Sequence, residues 1–386
     1  MAVPHPGGFG LYLHWPYCQS KCPYCDFNSH VSAMIDQDRW RSAYLSEIDR
    51  VGAETGGRLL ETVYFGGGTP SLMEPQLVAD ILDRIRSTWA MVNDVEITME
   101  ANPTSVEAGR LRAYADAGVN RISMGVQALN DRDLQRLGRL HSASEAMEAF
   151  STARAIFPRT SFDLIYARQD QTLRDWTAEL KLAIAHAGDH LSLYQLTIEP
   201  GTAFGDRHAR GGLKGLPDED LAADMYLITN DICGTAGLLA YEVSNYAVAG
   251  AESRHNLIYW RGGDYLGIGP GAHGRLTLDG ARLATETPLA PNAWMHQVER
   301  SRSGEASRQT LSRVEWAQEY LMMGLRMSEG ISQARFEGIC GRPLEQAAVE
   351  RLGAAGLLVV EQDRLASSDA GRLVLNAVLR RLVPDE

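Results

Sequence analysis

Between Gly10 and about Thr197 the chain alternates short apolar runs, rich in β-branched and aromatic residues, with longer stretches whose apolar positions recur at helical spacing. The short runs predict strands at Leu11–Trp15, Thr62–Phe65, Val95–Glu100, Arg121–Val126, Thr160–Tyr166 and Leu191–Thr197. The stretches between them predict helices at Asp36–Glu54, Pro75–Ser87, Ser105–Ala117, Ser142–Phe157 and Leu173–Ala187. Such alternation implies a parallel sheet with right-handed crossovers, whose binding face lies at the carboxyl ends of the strands. Six units close only part of a barrel.

Past Gly201 the alternation fades into Gly- and Pro-containing stretches, a helix near Asp218–Cys233 and a compact loop region at Tyr241–His273. From about Leu311 to Leu382 the pattern reads helix, turn, helix, then strands at Gly356–Val360 and Arg364–Ala366, then a final helix. A chain of 386 residues exceeds what one hydrophobic core fills, so two domains are expected, a barrel at 1–204 and an accessory domain at 205–386. The fold class is α/β, a partial (β/α)6 parallel barrel followed by an α+β region with a winged-helix-like segment.

Composition narrows the function. Hydrophobic content of 45% and charged content of 22% are ordinary for globular chains and leave no segment biased toward disorder. A net charge of −12 opposes attraction to phosphate backbones, and the winged-helix-like segment lacks a basic recognition helix, so no nucleic-acid partner is expected. The opening MAVPHPGGFG has no basic, then apolar, leader pattern, and no run of about 18 apolar residues occurs anywhere. These features predict a cytoplasmic chain with no transmembrane segment. Five cysteines, three of them clustered, do not read as a disulfide framework and suit a reducing compartment.

The clustered thiols are Cys18, Cys22 and Cys25. One short loop aims them at one small inorganic body. A four-iron cube held by three thiolates keeps one iron open for a ligand. Zinc with His14 or His30 as a fourth ligand, or a chance group of structural thiols, is the alternative on spacing alone. Gly66-Gly67-Gly68-Thr69-Pro70 directly follows the apolar Val63-Tyr64-Phe65. Its glycines allow a ligand to approach the backbone, and the absence of Gly-Lys-Ser/Thr excludes a P-loop. Glu100 and Asp163 are carboxylates in apolar strands, where burial requires a cation or hydroxyl partner. Gln127 and Arg139 are polar candidates for the same face. His255 opens the string His255-Asn256-Leu257-Ile258-Tyr259-Trp260, where an imidazole beside aromatics is a candidate haem ligand, although on this signal alone such a histidine is more often a hydrogen-bonded structural group.

Together Cys18-x3-Cys22-x2-Cys25, Tyr24 before the last cysteine, and GGGTP resemble the cluster signature of radical S-adenosylmethionine proteins. Tyr12 before the first cysteine, Glu100, Gly125-Val126-Gln127, Arg139 and Asp163-Leu164-Ile165-Tyr166 narrow the resemblance to the oxygen-independent coproporphyrinogen III oxidase family, over nearly the whole chain. The resemblance implies a 4Fe-4S cluster on the three cysteines and S-adenosylmethionine on its open iron. It implies that Gly67, Gly68 and Thr69 line the methionine end, and that Tyr12, Glu100, Gln127, Arg139 and Asp163 bind the rest.

The chain departs from the oxidase in three places. Phe27 stands where the oxidase has a further cysteine, the extension that precedes the first strand in the oxidase is missing before Leu11, and Ala167-Arg168-Gln169 replaces the usual Gly-Leu-Pro. The CDFNSH ending of the loop and the HNLIYW string are similar to the haem-chaperone branch of the family. That branch implies haem binding through His255, and delivery of haem to acceptor haem proteins such as respiratory enzymes at the membrane. The alternative is the oxidase activity itself, radical decarboxylation of porphyrinogen propionates.

Overall fold

The computed structural model describes residues 6–32, 34–104 and 109–384. A twelve-stranded sheet dominates it, and its strands are numbered here in chain order. The six predicted strands are present as β1 (Phe9–Trp15), β2 (Leu59–Gly67), β3 (Ala90–Ala101), β4 (Arg121–Gln127), β5 (Arg159–Tyr166) and β6 (His190–Gln195), each parallel to the next. Their helices follow at Gln37–Thr55, Pro75–Thr88, Ala143–Ile156 and Leu173–His186. The helix expected at Ser105–Ala117 is seen as Leu111–Ala117, and 105–108 lie outside the described residues.

Local chemistry explains these boundaries. Asp36 caps the first helix by accepting from the Arg39 amide, and Ser142 with Glu145 and Thr172 with Asp175 form reciprocal capping boxes. Helix Pro75–Thr88 starts with proline, whose missing N–H costs nothing at that position, and buries Leu77, Val78, Ile81, Leu82 and Ile85 on one face against the sheet.

Strand β1 is the centre of the architecture. Phe9, Leu11, Leu13 and Trp15 are buried toward the helices, while the alternate positions Tyr12 and His14 turn to the barrel interior. Its other edge pairs in parallel with a strand from far along the chain, β9 (Asp264–Ile268), with Phe9 opposite Asp264 and Leu13 opposite Ile268. The compact loop region expected at Tyr241–His273 therefore contains a seventh parallel strand. Three antiparallel strands continue from it, β10 (His273–Leu278), β11 (Ala281–Glu286) and β12 (Ser307–Thr310). At the opposite edge β6 is covered by β8 (Asn245–Ala247), which pairs with β7 (Leu239–Ala240).

The main core runs from Phe9 through Val298, drawing on residues both before and after position 204. A second cluster spans Ala317 to Leu382 around a three-stranded sheet of 331–332, 364–367 and 358–361, the winged-helix-like segment. No helix among the described residues is long and apolar enough to cross a membrane.

Candidate functional site

The cysteine loop leaves β1 at the carboxyl end of the barrel. Tyr17–Cys18 pairs with His30–Val31, so the loop is pinned at both ends, and the Cys25 amide donates to the Cys22 carbonyl at 3.1 Å. All three cysteines are free and partly exposed. Thr69 Oγ1 lies 3.4 Å from Cys18 Sγ, and Arg139 Nη1 lies 3.4 Å from Cys22 Sγ. Burial raises the Cys18 and Cys25 thiols, so a cationic metal centre is what would hold them as thiolates.

These sulfurs open on a cavity of about 470 Å³, which also gathers Tyr24, Gly67, Gly68, Thr69, Glu100, Gln127, Arg139 and Asp163. Glycine is required at two of these positions by contact. A Cβ on Gly67, whose φ is +112°, would stand 2.6 Å from the His14 ring, and one on Gly68 would stand 2.7 Å from the Tyr17 carbonyl oxygen.

Glu100 accepts from the Tyr64 hydroxyl at 2.8 Å and the Gly67 amide at 3.2 Å. Burial pushes its carboxyl up to about 7 against both hydrogen bonds. Asp163 accepts from the Val126 amide at 3.0 Å and from Gln127 Nε2 at 2.8 Å. Burial raises it to about 6, with the Arg139 charge opposing. Gln127 reaches Asp163 through a register shift between Met124 and Gln127 and a φ of +72°, a strained conformation at a strand end. Arg139 is held by Asn102 Oδ1 at 2.7 Å and the Gly125 carbonyl at 2.8 Å.

Two predicted positions lie apart. Tyr12 lines a second, more aromatic cavity of about 440 Å³, which meets the first along Phe27, Gly67 and Glu100. Its hydroxyl sits 3.0 Å from His14 Nδ1, whose Nε2 lies 2.9 Å from the Asn28 carbonyl oxygen. His255 lines neither cavity and is 1% exposed. It belongs to helix Arg254–Trp260, capped by Ser253, where a loop had been expected. Its Nδ1 is 2.7 Å from Thr62 Oγ1 and its Nε2 is 2.7 Å from the Tyr259 hydroxyl. Burial drives the ring down to about 3, so it is neutral, with both nitrogens engaged.

Several partners were not anticipated. Asn102 bridges Thr69 Oγ1, at 3.0 Å, and Arg139, two residues beyond Glu100 on the same strand end. Asn28 ties the cysteine loop to the distal strands by donating to the Pro270 and Leu289 carbonyls, both at 2.9 Å. Deeper in the first cavity lie Arg121, Ser123, Ser161, His190 and Ser192. Their signal was available, because polar residues recur at every second position of β4, β5 and β6, the period of one strand face.

The donor set fits an iron–sulfur cube with an amino-acid-bearing nucleoside beside it. Three thiols face a cavity that also offers a carboxylate at the glycine turn and, across it, an Asp163–Gln127 pair suited to hydroxyls. Among the described residues no three His, Cys, Asp or Glu side chains converge on one ion. A cube takes each thiolate on a different iron and spreads its ligands more widely.

Comparison with known proteins gives the family. Residues 12–183 match the radical SAM superfamily and residues 311–374 match the HemN C-terminal domain. The chain is 39% identical to the heme chaperone HemW of Escherichia coli (strain K12), covering 96% of each. It is 40% identical to the mouse radical S-adenosyl methionine domain-containing protein 1, mitochondrial, over 97% of this chain and 87% of that one. The structure of the coproporphyrinogen III oxidase HemN from Escherichia coli superposes with a TM-score of 0.81 over 98% of this chain and 90% of that one, at 21% identity, a likeness of fold.

Proposed function

Because this chain belongs to the radical S-adenosylmethionine superfamily, in the branch that holds the HemW heme chaperones, we propose that it binds haem and passes it to acceptor haem proteins, such as respiratory enzymes at the membrane. The observation that carries this reading is end-to-end similarity to named heme chaperones, together with Phe27 at the position where the oxidase carries a further cysteine.

Cys18, Cys22 and Cys25 would hold a 4Fe-4S cluster, and S-adenosylmethionine would lie in the first cavity. When bound, the cluster supplies low-potential electrons and an open iron for the cofactor. The chain's own groups do the positioning. Glu100, at the Gly67 amide, accepts from the cofactor's amino group. Gln127 orients Asp163 toward sugar hydroxyls, and Arg139 neutralises charge gathered at Cys22. Gly68, Thr69 and Tyr24 complete the walls around it, and Tyr12 stands in the adjoining second cavity. His255 serves as a haem ligand only after its ring gives up the Tyr259 hydroxyl, since Nε2 is engaged in the closed arrangement. We infer a reducing compartment, the cytoplasm, with membrane contact during transfer.

The test follows anaerobically reconstituted protein loaded with haem, mixed with a membrane fraction and S-adenosylmethionine. Haem leaving the protein for membrane acceptors supports the chaperone. Failure of the purified protein to bind haem, or appearance of protoporphyrinogen from coproporphyrinogen III under reducing conditions, overturns it.

A further inference from the structure

The second cavity lies between the barrel and the winged-helix-like segment, and its walls come from four distant parts of the chain. Tyr12 and Phe27 come from β1 and the cysteine loop, and Tyr259 and Trp260 from the helix of His255. Trp316 and Tyr320 come from the C-terminal segment. At about 440 Å³ it is in the range of small-molecule sites, and broad aromatic walls suit a flat conjugated ring.

Its polar groups are specific. Three lining residues carry a buried N–H without an acceptor among the described residues, Trp260 Nε1, Trp316 Nε1 and Arg282 Nε. Arg282 is 3% exposed and already bonds Asp264 and the Gly263 carbonyl, so its leftover N–H is a donor that folding has not used. Buried donors left unpaired cost free energy, and because these three are sealed beneath the cavity wall, a carboxylate on the ligand accepts from them only after the covering side chains shift.

The imidazoles of the region differ in availability. His14 has both ring nitrogens engaged, by Tyr12 and by the Asn28 carbonyl. His255 is engaged by Thr62 and Tyr259. His273, at the start of β10, lines the cavity with a side chain 55% exposed. Its Nδ1 faces the Glu286 carboxylate at 3.7 Å, and among the described residues no hydrogen bond engages its Nε2. His273 thus presents an open Nε2 at the rim with a carboxylate near its other nitrogen, a placement that leaves it available to a metal.

Resting on the haem-carrier reading, we propose that haem occupies this second cavity, with Nε2 of His273 as an axial ligand to iron and the N–H groups of Trp260, Trp316 and Arg282 donating to its propionates once the side chains that cover them have moved. The ligand is then handed in from the rim by a free histidine, while His255 stays closed behind Tyr259. The cavity touches the cofactor site through Gly67 and Glu100, which places haem beside the groups that sense S-adenosylmethionine.

The test titrates haem and, separately, iron-free protoporphyrin IX into the anaerobically reconstituted full chain, followed by absorption and electron paramagnetic resonance spectra. His273→Ala is expected to weaken haem binding by roughly tenfold or more, remove the nitrogen-ligand signature and regain it on adding imidazole, with protoporphyrin IX binding retained. Met323→Trp, which fills the cavity from its partly exposed rim, is expected to weaken both ligands. A His273→Ala protein with the wild-type haem spectrum and affinity overturns the ligand assignment. Loss of iron-free porphyrin binding in that variant overturns it as well, and normal binding by Met323→Trp overturns the cavity. Failure of wild-type protein to bind either ligand instead sinks the haem-carrier reading.

Discussion

The Tyr259 hydroxyl stands 2.7 Å from Nε2 of His255, one turn away on the same helix, and Thr62 holds the opposite ring nitrogen at 2.7 Å. The ring is thus fixed by two hydroxyls from two different elements. Tyr259→Phe leaves a buried nitrogen without a partner, and it should lower stability by about 1–3 kcal/mol, read from the midpoint of urea unfolding. In haem-loaded protein the same change frees Nε2 from its hydrogen bond, the step His255 needs before it can ligate iron. The nitrogen-ligated fraction should rise, and His255→Ala in that background should abolish the gain. An unchanged spectrum in both proteins would exclude His255 as a ligand.

Glu100 makes stability depend on pH in a defined direction. Its carboxyl titrates near 7 in the fold against an ordinary 4.5, so the folded state favours the neutral acid. That stabilisation is complete below about pH 4.5 and is lost as pH rises through about 7. Without ligand, the protein should lose up to roughly 3 kcal/mol between those limits from this group. Glu100→Gln should flatten the slope in urea unfolding across a pH series. An amino group that donates to Glu100 favours the charged carboxylate, so S-adenosylmethionine should bind more tightly at about pH 8 than at about pH 6, measured by calorimetry.

Ala167 adopts a φ of +57°, in the left-handed region where a Cβ is strained. It occupies the position where the resemblance leads one to expect glycine. Ala167→Gly should raise stability by about 0.5–1 kcal/mol, visible as a small rise in Tm. A fall in Tm would show that the strain is relieved by contacts of the Ala167 methyl group.

Arg168, next in that loop, is 3% exposed and lies 2.9 Å from Asp133 and 2.5 Å from Glu179. Glu179 also accepts from the Leu129 amide at 2.7 Å, just past β4. Removing the cation leaves two buried carboxylates without the partner they share. Arg168→Met should therefore cost about 3–5 kcal/mol, read by chemical denaturation. Adding Asp133→Asn and Glu179→Gln should recover part of the loss.

The parallel barrel was legible because its strands are short apolar runs and its helices carry caps and one-sided apolar faces, as in Ser142 with Glu145 and the Leu77–Ile85 stripe. Much of the first cavity was legible too, since Cys18, Gly67, Glu100 and Gln127 all stand at strand ends. Other features depended on partners far away in the chain. Asp264–Ile268 is five residues long with a glycine inside, and nothing local says that it pairs with Phe9–Leu13. The engagement of His255 by Thr62 spans 193 residues. The second cavity exists only when four separate segments meet, so no stretch of the chain announces it.

Strand β1 is made first, yet one of its edges stays bare until the ribosome has synthesised Ile268. For most of its translation the protein therefore carries an open template for wrong pairing, and closing it requires a long, entropically slow loop. Biogenesis of this chain should lean on holding factors during synthesis, and fragments ending near residue 204 should aggregate even though they contain every cysteine of the cluster loop.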